Sequence, residues 1–129
     1  MDVTSPPCES HLSFNALIGS SGVGTMRFPG LLNGLPIQIV LDSGSFDNFL
    51  QPRIAKYLKL PIEPIQNFKV LVENGSTLVV EGFISNLEFT IQTHSLIILA
   101  YLLPISGVDL VLGVSWLATL DPIFFTIAH

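Results

Sequence analysis

Basic residues are scarce in this chain: Arg27, Arg53, Lys56, Lys59 and Lys69 stand against ten acidic ones, for a net charge of −5. Apart from the loose group at 53 to 59 they form no stripe, and nucleic-acid binding needs a stripe or patch to neutralise phosphates. There is one cysteine, Cys8, which excludes an intramolecular disulfide and a cysteine-rich zinc site. His11, His94 and His129 lie far apart without ligand-spaced neighbours and read as surface residues rather than metal ligands. Charge of either sign is low at 12% of residues, while 49% are hydrophobic. That excess does not make a membrane span. The longest apolar run, Leu96 to Leu103, stops at Pro104, well short of the about 20 residues a spanning helix requires. The opening residues carry Asp2, Pro6, Pro7 and Glu9 and do not read as a signal peptide. An apolar surface covered by a partner, in an oligomer or a larger polyprotein, accounts better for the composition.

With 129 residues the chain has room for one core. Residues 1–13 are polar, Pro-containing and aperiodic, the pattern of a tail or linker, which leaves 14–129 as the domain. Gly19-Ser20-Ser21-Gly22-Val23-Gly24 lacks the Lys-Ser/Thr of a phosphate-binding loop and reads as a flexible loop. From Thr25 onward short apolar segments alternate with turn signals. Thr25–Leu32 and Pro36–Leu41 flank Asn33-Gly34, a two-residue hairpin signal. Phe68–Val72 and Thr77–Val80 flank a second, Glu73-Asn74-Gly75-Ser76. Phe46–Leu50, Phe83–Ile91, Ser95–Leu102 and Val108–Leu112 read as further strands. Pro52 opens a short helix reaching about Leu58, and Ser115–Leu120 suits a second. Strands about every ten residues with little helix predict an all-β barrel-like or sandwich-like domain with one or two short helices.

One stretch stands apart. The apolar segment Pro36–Leu41 runs directly into Asp42-Ser43-Gly44-Ser45. A carboxylate at the end of an apolar strand is costly unless it is hydrogen-bonded or used. Asp-Ser-Gly is also ordinary turn chemistry, so the triplet by itself is compatible with a plain turn. Val111-Leu112-Gly113 repeats the form of two aliphatic residues meeting a glycine. If the two strands cross beneath the turn, their aliphatic residues form a dry floor under Asp42, and the glycine permits close backbone approach.

Taken in order, Leu41-Asp42-Ser43-Gly44-Ser45-Phe46-Asp47-Asn48-Phe49, then Val72-Glu73-Asn74-Gly75, then Asp109 to Leu117 and on to Leu120, the chain resembles the retropepsin-type aspartic protease of LTR retrotransposons. Within that family it is most similar to gypsy-type elements of plants, and the likeness runs from about Phe14 to Phe125. It implies a small closed β-barrel protomer that works as a homodimer on an extended peptide or Gag-Pol polyprotein, hydrolysing peptide bonds without a cofactor. Asp42 would be the catalytic carboxylate. Ser43 would bond across the dimer axis, Gly44 would present its N–H to the carboxylate, and Ser45 would support the turn. The hairpin at Asn74 and Gly75 would be the flap, with an ordinary surface hairpin as the alternative, and Val111, Leu112 and Gly113 would be the floor. Because the sequence holds no second Asp-Ser/Thr-Gly triplet, the active site would need Asp42 from two chains, sharing one proton. Retroelement proteases act in cytoplasmic particles, which gives the expected compartment by analogy. After Asp121-Pro122-Ile123-Phe124 the family's closing hairpin or strand is not evident, and the expectation is a C-terminally truncated domain. A catalytically inactive remnant serving as a dimerisation or peptide-binding module is therefore the alternative function.

Overall fold

A computed structural model of the chain describes residues 8–13, 25–72 and 74–117. Nine strands and two short helices are present among them: β1 (Cys8–Leu12), β2 (Thr25–Leu32), β3 (Leu35–Asp42), β4 (Phe49–Leu50), α1 (Pro52–Tyr57), β5 (Phe68–Val72), β6 (Thr77–Val79), β7 (Phe83–Ile91), β8 (His94–Leu102), β9 (Leu110–Leu112) and α2 (Val114–Leu117). The order β2-β3-β9-β4-β8-β7 closes into a barrel, and β1-β5-β6 form a separate three-stranded sheet. The expected all-β class is what the structure has.

Local chemistry explains most of these elements. Asn33 and Gly34 both take positive φ, 50° and 82°, the pair of left-handed residues that closes a type I′ hairpin and matches strand twist. The β2–β3 ladder then runs in register from Leu32↔Leu35 to Thr25↔Asp42. Helix α1 begins on Pro52, whose fixed φ suits a first helical turn, and buries Ile54 and Ala55. In β7 a register shift between Ile84 and Leu87 inserts an extra residue opposite β8, a bulge that bends the strand.

Two hydrophobic clusters share the centre. One fills the barrel with Ile37, Ile39, Phe89, Leu110 and Leu112 among others. The other, under the small sheet, gathers Leu12, Val40, Phe49, Val70 and Val111. Strands β3 and β9 lie between them and send successive side chains to opposite clusters. Leu110, Val111 and Leu112 are consequently all buried, which is why β9 is an unbroken apolar run rather than an alternating one.

The N-terminal boundary differs from the expectation. Cys8–Leu12, read as part of a tail, is a strand paired in parallel with β5, from Cys8↔Phe68 to Leu12↔Val72. Its formation rests on main-chain pairing to a sheet edge, and Leu12 is the one large aliphatic residue it brings inward. A segment with so little apolar periodicity gives no strand signal. The expected strand Phe46–Leu50 is confined to Phe49–Leu50, because residues 43 to 48 form the turn that carries the site. The second expected helix begins at Val114, one residue early, and its residues beyond Leu117, like the Gly19–Gly24 loop, lie outside the described ones.

Candidate active site

Asp42 is the last residue of β3 and is 1% exposed. Strand β9 runs parallel beside it, with Val40↔Val111 and Leu41↔Leu112 in register. Val111, Leu112 and Gly113, the residues expected to form a floor, are buried next to the strand that ends at the carboxylate. The chain can turn this tightly because Gly113 has no side chain. A Cβ there would stand 2.3 Å from the Asp47 carbonyl oxygen and 2.7 Å from that of Ser45. No carbon atom tolerates such separations.

Three donors converge on the carboxylate. The Gly44 N–H donates to Oδ1 at 3.0 Å, the Ser45 hydroxyl donates to Oδ2 at 2.7 Å, and the Ser13 hydroxyl donates to the same Oδ2 at 2.5 Å. Oxygen acceptors of a buried carboxylate need such donors, and charge-assisted bonds of this kind are short. The Ser45 hydroxyl oxygen in turn accepts the Ser13 N–H at 3.2 Å. The turn itself is closed by the Ser45 N–H on the Asp42 carbonyl, at 3.3 Å. Ser43, the residue between, is exposed.

The turn is tied down from beneath. The first amides of α2 donate to its carbonyls, Val114 to Ser45 at 2.7 Å and Ser115 to Phe46 at 2.8 Å. Asn48 is buried and links three elements: its Oδ1 accepts the Gly113 N–H at 3.0 Å, and its Nδ2 donates to the Leu99 carbonyl of β8 at 3.0 Å. Asp47 accepts from the Ser10 hydroxyl at 2.7 Å. Asp109 directly precedes β9, at the end of the strand away from the turn, and accepts the Gln38 N–H at 2.7 Å.

The β5–β6 hairpin stands over the turn. At its tip the Asn74 Oδ1 accepts the Ser76 N–H at 2.9 Å, and Gly75 adopts φ +93°, a conformation that favours glycine. A groove of about 360 Å³ lies between, lined by His11, Leu12, Gly44, Phe46, Leu71, Val72 and Gly75. It brings Gly44 and Gly75 to one cavity, whereas the Asn74 side chain is occupied in its own turn. Val111, Leu112 and Gly113 lie below as support and do not line the groove.

Three residues of this arrangement were not singled out from the sequence: Ser10, Ser13 and Asn48. The two serines belong to the stretch read as a tail, and nothing local marks their partners. Asn48 had one available signal, a polar amide directly before the buried pair Phe49–Leu50. Among the described residues no group of three or more His, Cys, Asp or Glu is placed to hold a metal ion. No helix among them is long and apolar enough to cross a membrane.

A six-stranded closed barrel whose parallel β3 and β9 present a hydrogen-bonded Asp-Ser-Gly turn beneath a hairpin defines a protein of the retropepsin-like aspartic protease kind. Over residues 38–125, more than half of its length, the chain matches the PEG10/RTL1 protease domain, and it belongs to that family. Two solved structures share the fold. The retroviral protease-like domain of Ddi1 from Leishmania major is 16% identical, with a TM-score of 0.55 over 75% of this chain and 74% of that one. A retropepsin-like aspartic protease from Rickettsia conorii is 18% identical, with a TM-score of 0.51 over 81% of this chain and 78% of that one. No curated protein matches the sequence.

Proposed function

We propose that the chain is one protomer of an aspartic endopeptidase, with Asp42 as its catalytic carboxylate and a second copy supplying the other. The observation that carries this reading is the environment of Asp42. It is a buried carboxylate at the end of an apolar strand, fixed by the Gly44 N–H and the Ser45 hydroxyl, and adjacent to a groove roofed by a hairpin. The exposed side chains beside the turn, Phe46 at 53% and Val114 at 41%, suit a face that a second copy covers. Ser43, exposed on the turn, would bond across the two-fold axis of such a pair.

The chemistry follows from two carboxylates sharing one proton. The ionised one takes a proton from a water molecule as the water oxygen bonds to the scissile carbonyl carbon. The protonated one donates to the carbonyl oxygen as that oxygen gains charge. As the tetrahedral intermediate collapses the C–N bond breaks, and the leaving nitrogen takes the proton that the first carboxylate drew from the water. The second carboxylate recovers its proton from the hydroxyl that becomes the new carbonyl. The floor of Val111 and Leu112 keeps the pair in a low-dielectric setting where such hydrogen bonds are strong. Closure of the Asn74-Gly75 hairpin over an extended peptide would exclude bulk water and add main-chain bonds. The likeness of 41–49 to gypsy-type elements of plants favours an element's own Gag-Pol polyprotein as the natural substrate.

The test is cleavage of a mixed peptide library by the purified chain at mildly acid pH, with and without a pepstatin-like inhibitor. Wild-type protein should cleave, the inhibitor should block it, and Asp42→Asn should lower the rate at least about a thousandfold, since the dyad acts as a unit. Unchanged cleavage by Asp42→Asn would refute the assignment. One observation favours a second reading: the chain's own Ser13 already occupies the carboxylate, as in a module that holds peptides without cutting them. That reading predicts a folded protein that binds peptide and cleaves none.

A further inference from the structure

Strand β1 lies between the hairpin over the groove and the active turn. On one side its main chain pairs with β5, the first strand of the hairpin over the groove. On the other, the His11 carbonyl accepts the Phe46 N–H of the active turn at 2.8 Å. An extended ligand held by a sheet edge and a loop makes bonds of this kind, main chain for affinity and alternate side chains for selectivity. The side chains follow that division. Leu12 is fully buried in the cluster beneath the small sheet. Ser10 is equally buried and donates to Asp47, while His11 faces outward and packs on the Phe46 ring at a centroid distance of 4.3 Å. The segment ends with Ser13 against Asp42, its hydroxyl oxygen 2.5 Å from Oδ2 and its Cβ 3.1 Å from where a Cβ on Gly44 would be. That oxygen is within hydrogen-bond distance of the carboxylate, as a water activated by it has to be.

We infer that Ser10-His11-Leu12-Ser13 is a resident pseudosubstrate: it takes the main-chain positions along the groove between β5 and the active turn, blocks Asp42, and must leave before another peptide can enter. The inference rests on reading the groove as the peptide site, and it goes further in naming the occupant and the kind of peptide accepted. The ligand runs parallel to β5, with a small hydroxyl residue at the position facing Asp47 and an aliphatic residue two positions later. A self-occupied site lowers apparent affinity by the fraction of molecules in which it is open, so loosening β1 must strengthen peptide binding.

The experiment uses the full chain and a fluorescein-labelled synthetic peptide with the sequence of residues 8–16. Binding is followed by anisotropy, and amide hydrogen exchange is followed on β1 and on the barrel strands β2, β3 and β9. Leu12→Asp drives β1 out of its apolar seat, whereas Ser10→Ala combined with Ser13→Ala removes only the two hydroxyl bonds. Expected for Leu12→Asp are fast exchange in β1, unchanged protection in the barrel and peptide binding at least about tenfold tighter than wild type. A severalfold gain is expected for the double serine variant. Loss of barrel protection in Leu12→Asp together with no gain in the serine variant would make β1 a structural strand and overturn the inference. So would a freed β1 with unchanged peptide affinity. Tighter binding without any cleavage leaves the inference standing and sinks the catalytic reading instead, because binding is measured independently of turnover.

Discussion

Gly113 shows at the scale of one residue how the site depends on an absent side chain. Its nearest neighbours are the carbonyl oxygens of Asp47 and Ser45, backbone atoms of the turn that holds Asp42, and the turn cannot yield without moving the carboxylate. Gly113→Ala should therefore destabilise the fold by about 3 kcal/mol, the upper part of the range for overpacking, as measured by the urea midpoint. A cost below about 0.5 kcal/mol would mean that the β9 end and the turn are not in contact. This dependence was legible beforehand, since a glycine following two buried aliphatic residues signals close approach. The Gly44 and Ser45 bonds to Asp42 were legible too, because they span two and three residues. The Ser13 bond spans 29 residues and the Asn48 bond to Gly113 spans 65. Those partners meet only after the barrel closes, and no local pattern encodes them.

Strand β9 makes the corresponding point at the scale of an element. It is three residues long, yet it pairs with both β3 and β4 and separates two clusters. Its apolar run was readable as a strand, as were the hairpins whose turns carry Asn-Gly. The start of β9 was expected at Val108 and falls at Leu110, since Val108 belongs to the approach that packs under the small sheet. Strand β1 was unreadable for a different reason: it is held by the edge of β5, by the burial of Leu12 and by the Asp47 carboxylate, all set by residues far along the chain. Leu112→Ala deletes a fully buried side chain from the barrel core and should cost about 2–5 kcal/mol. Ile97→Ala, on the outward face of β8 where the side chain is 63% exposed, should cost within about 0.5 kcal/mol. Paired chemical denaturation curves decide this, and equal costs would contradict the two-sided burial of β9.

At the scale of the whole molecule, one chain supplies one Asp-Ser-Gly turn, and the exposed Phe46 and Val114 flank it. If the working enzyme is a symmetric pair, the turn of each copy must face the other across a two-fold axis, and a pair with one defective member has a single carboxylate. Such a pair cannot hold one ionised and one protonated group, so it is inactive rather than half-active. Mixing offers a direct measurement. Wild-type chain and Asp42→Asn are combined in equal amounts, allowed to exchange subunits, and assayed at constant total concentration. Random pairing leaves about one quarter of the pairs with two intact aspartates, so activity should fall to about a quarter of the wild-type value. A protomer that acts alone, or one whose partner contributes no carboxylate, would retain about half. Dilution supplies the companion observation under the same pairing argument: specific activity should fall as concentration drops below the dissociation constant of the pair, and saturating wild-type chain should restore it. A drop to a quarter with concentration-dependent specific activity requires two Asp42 side chains in one site, which no arrangement within a single chain provides.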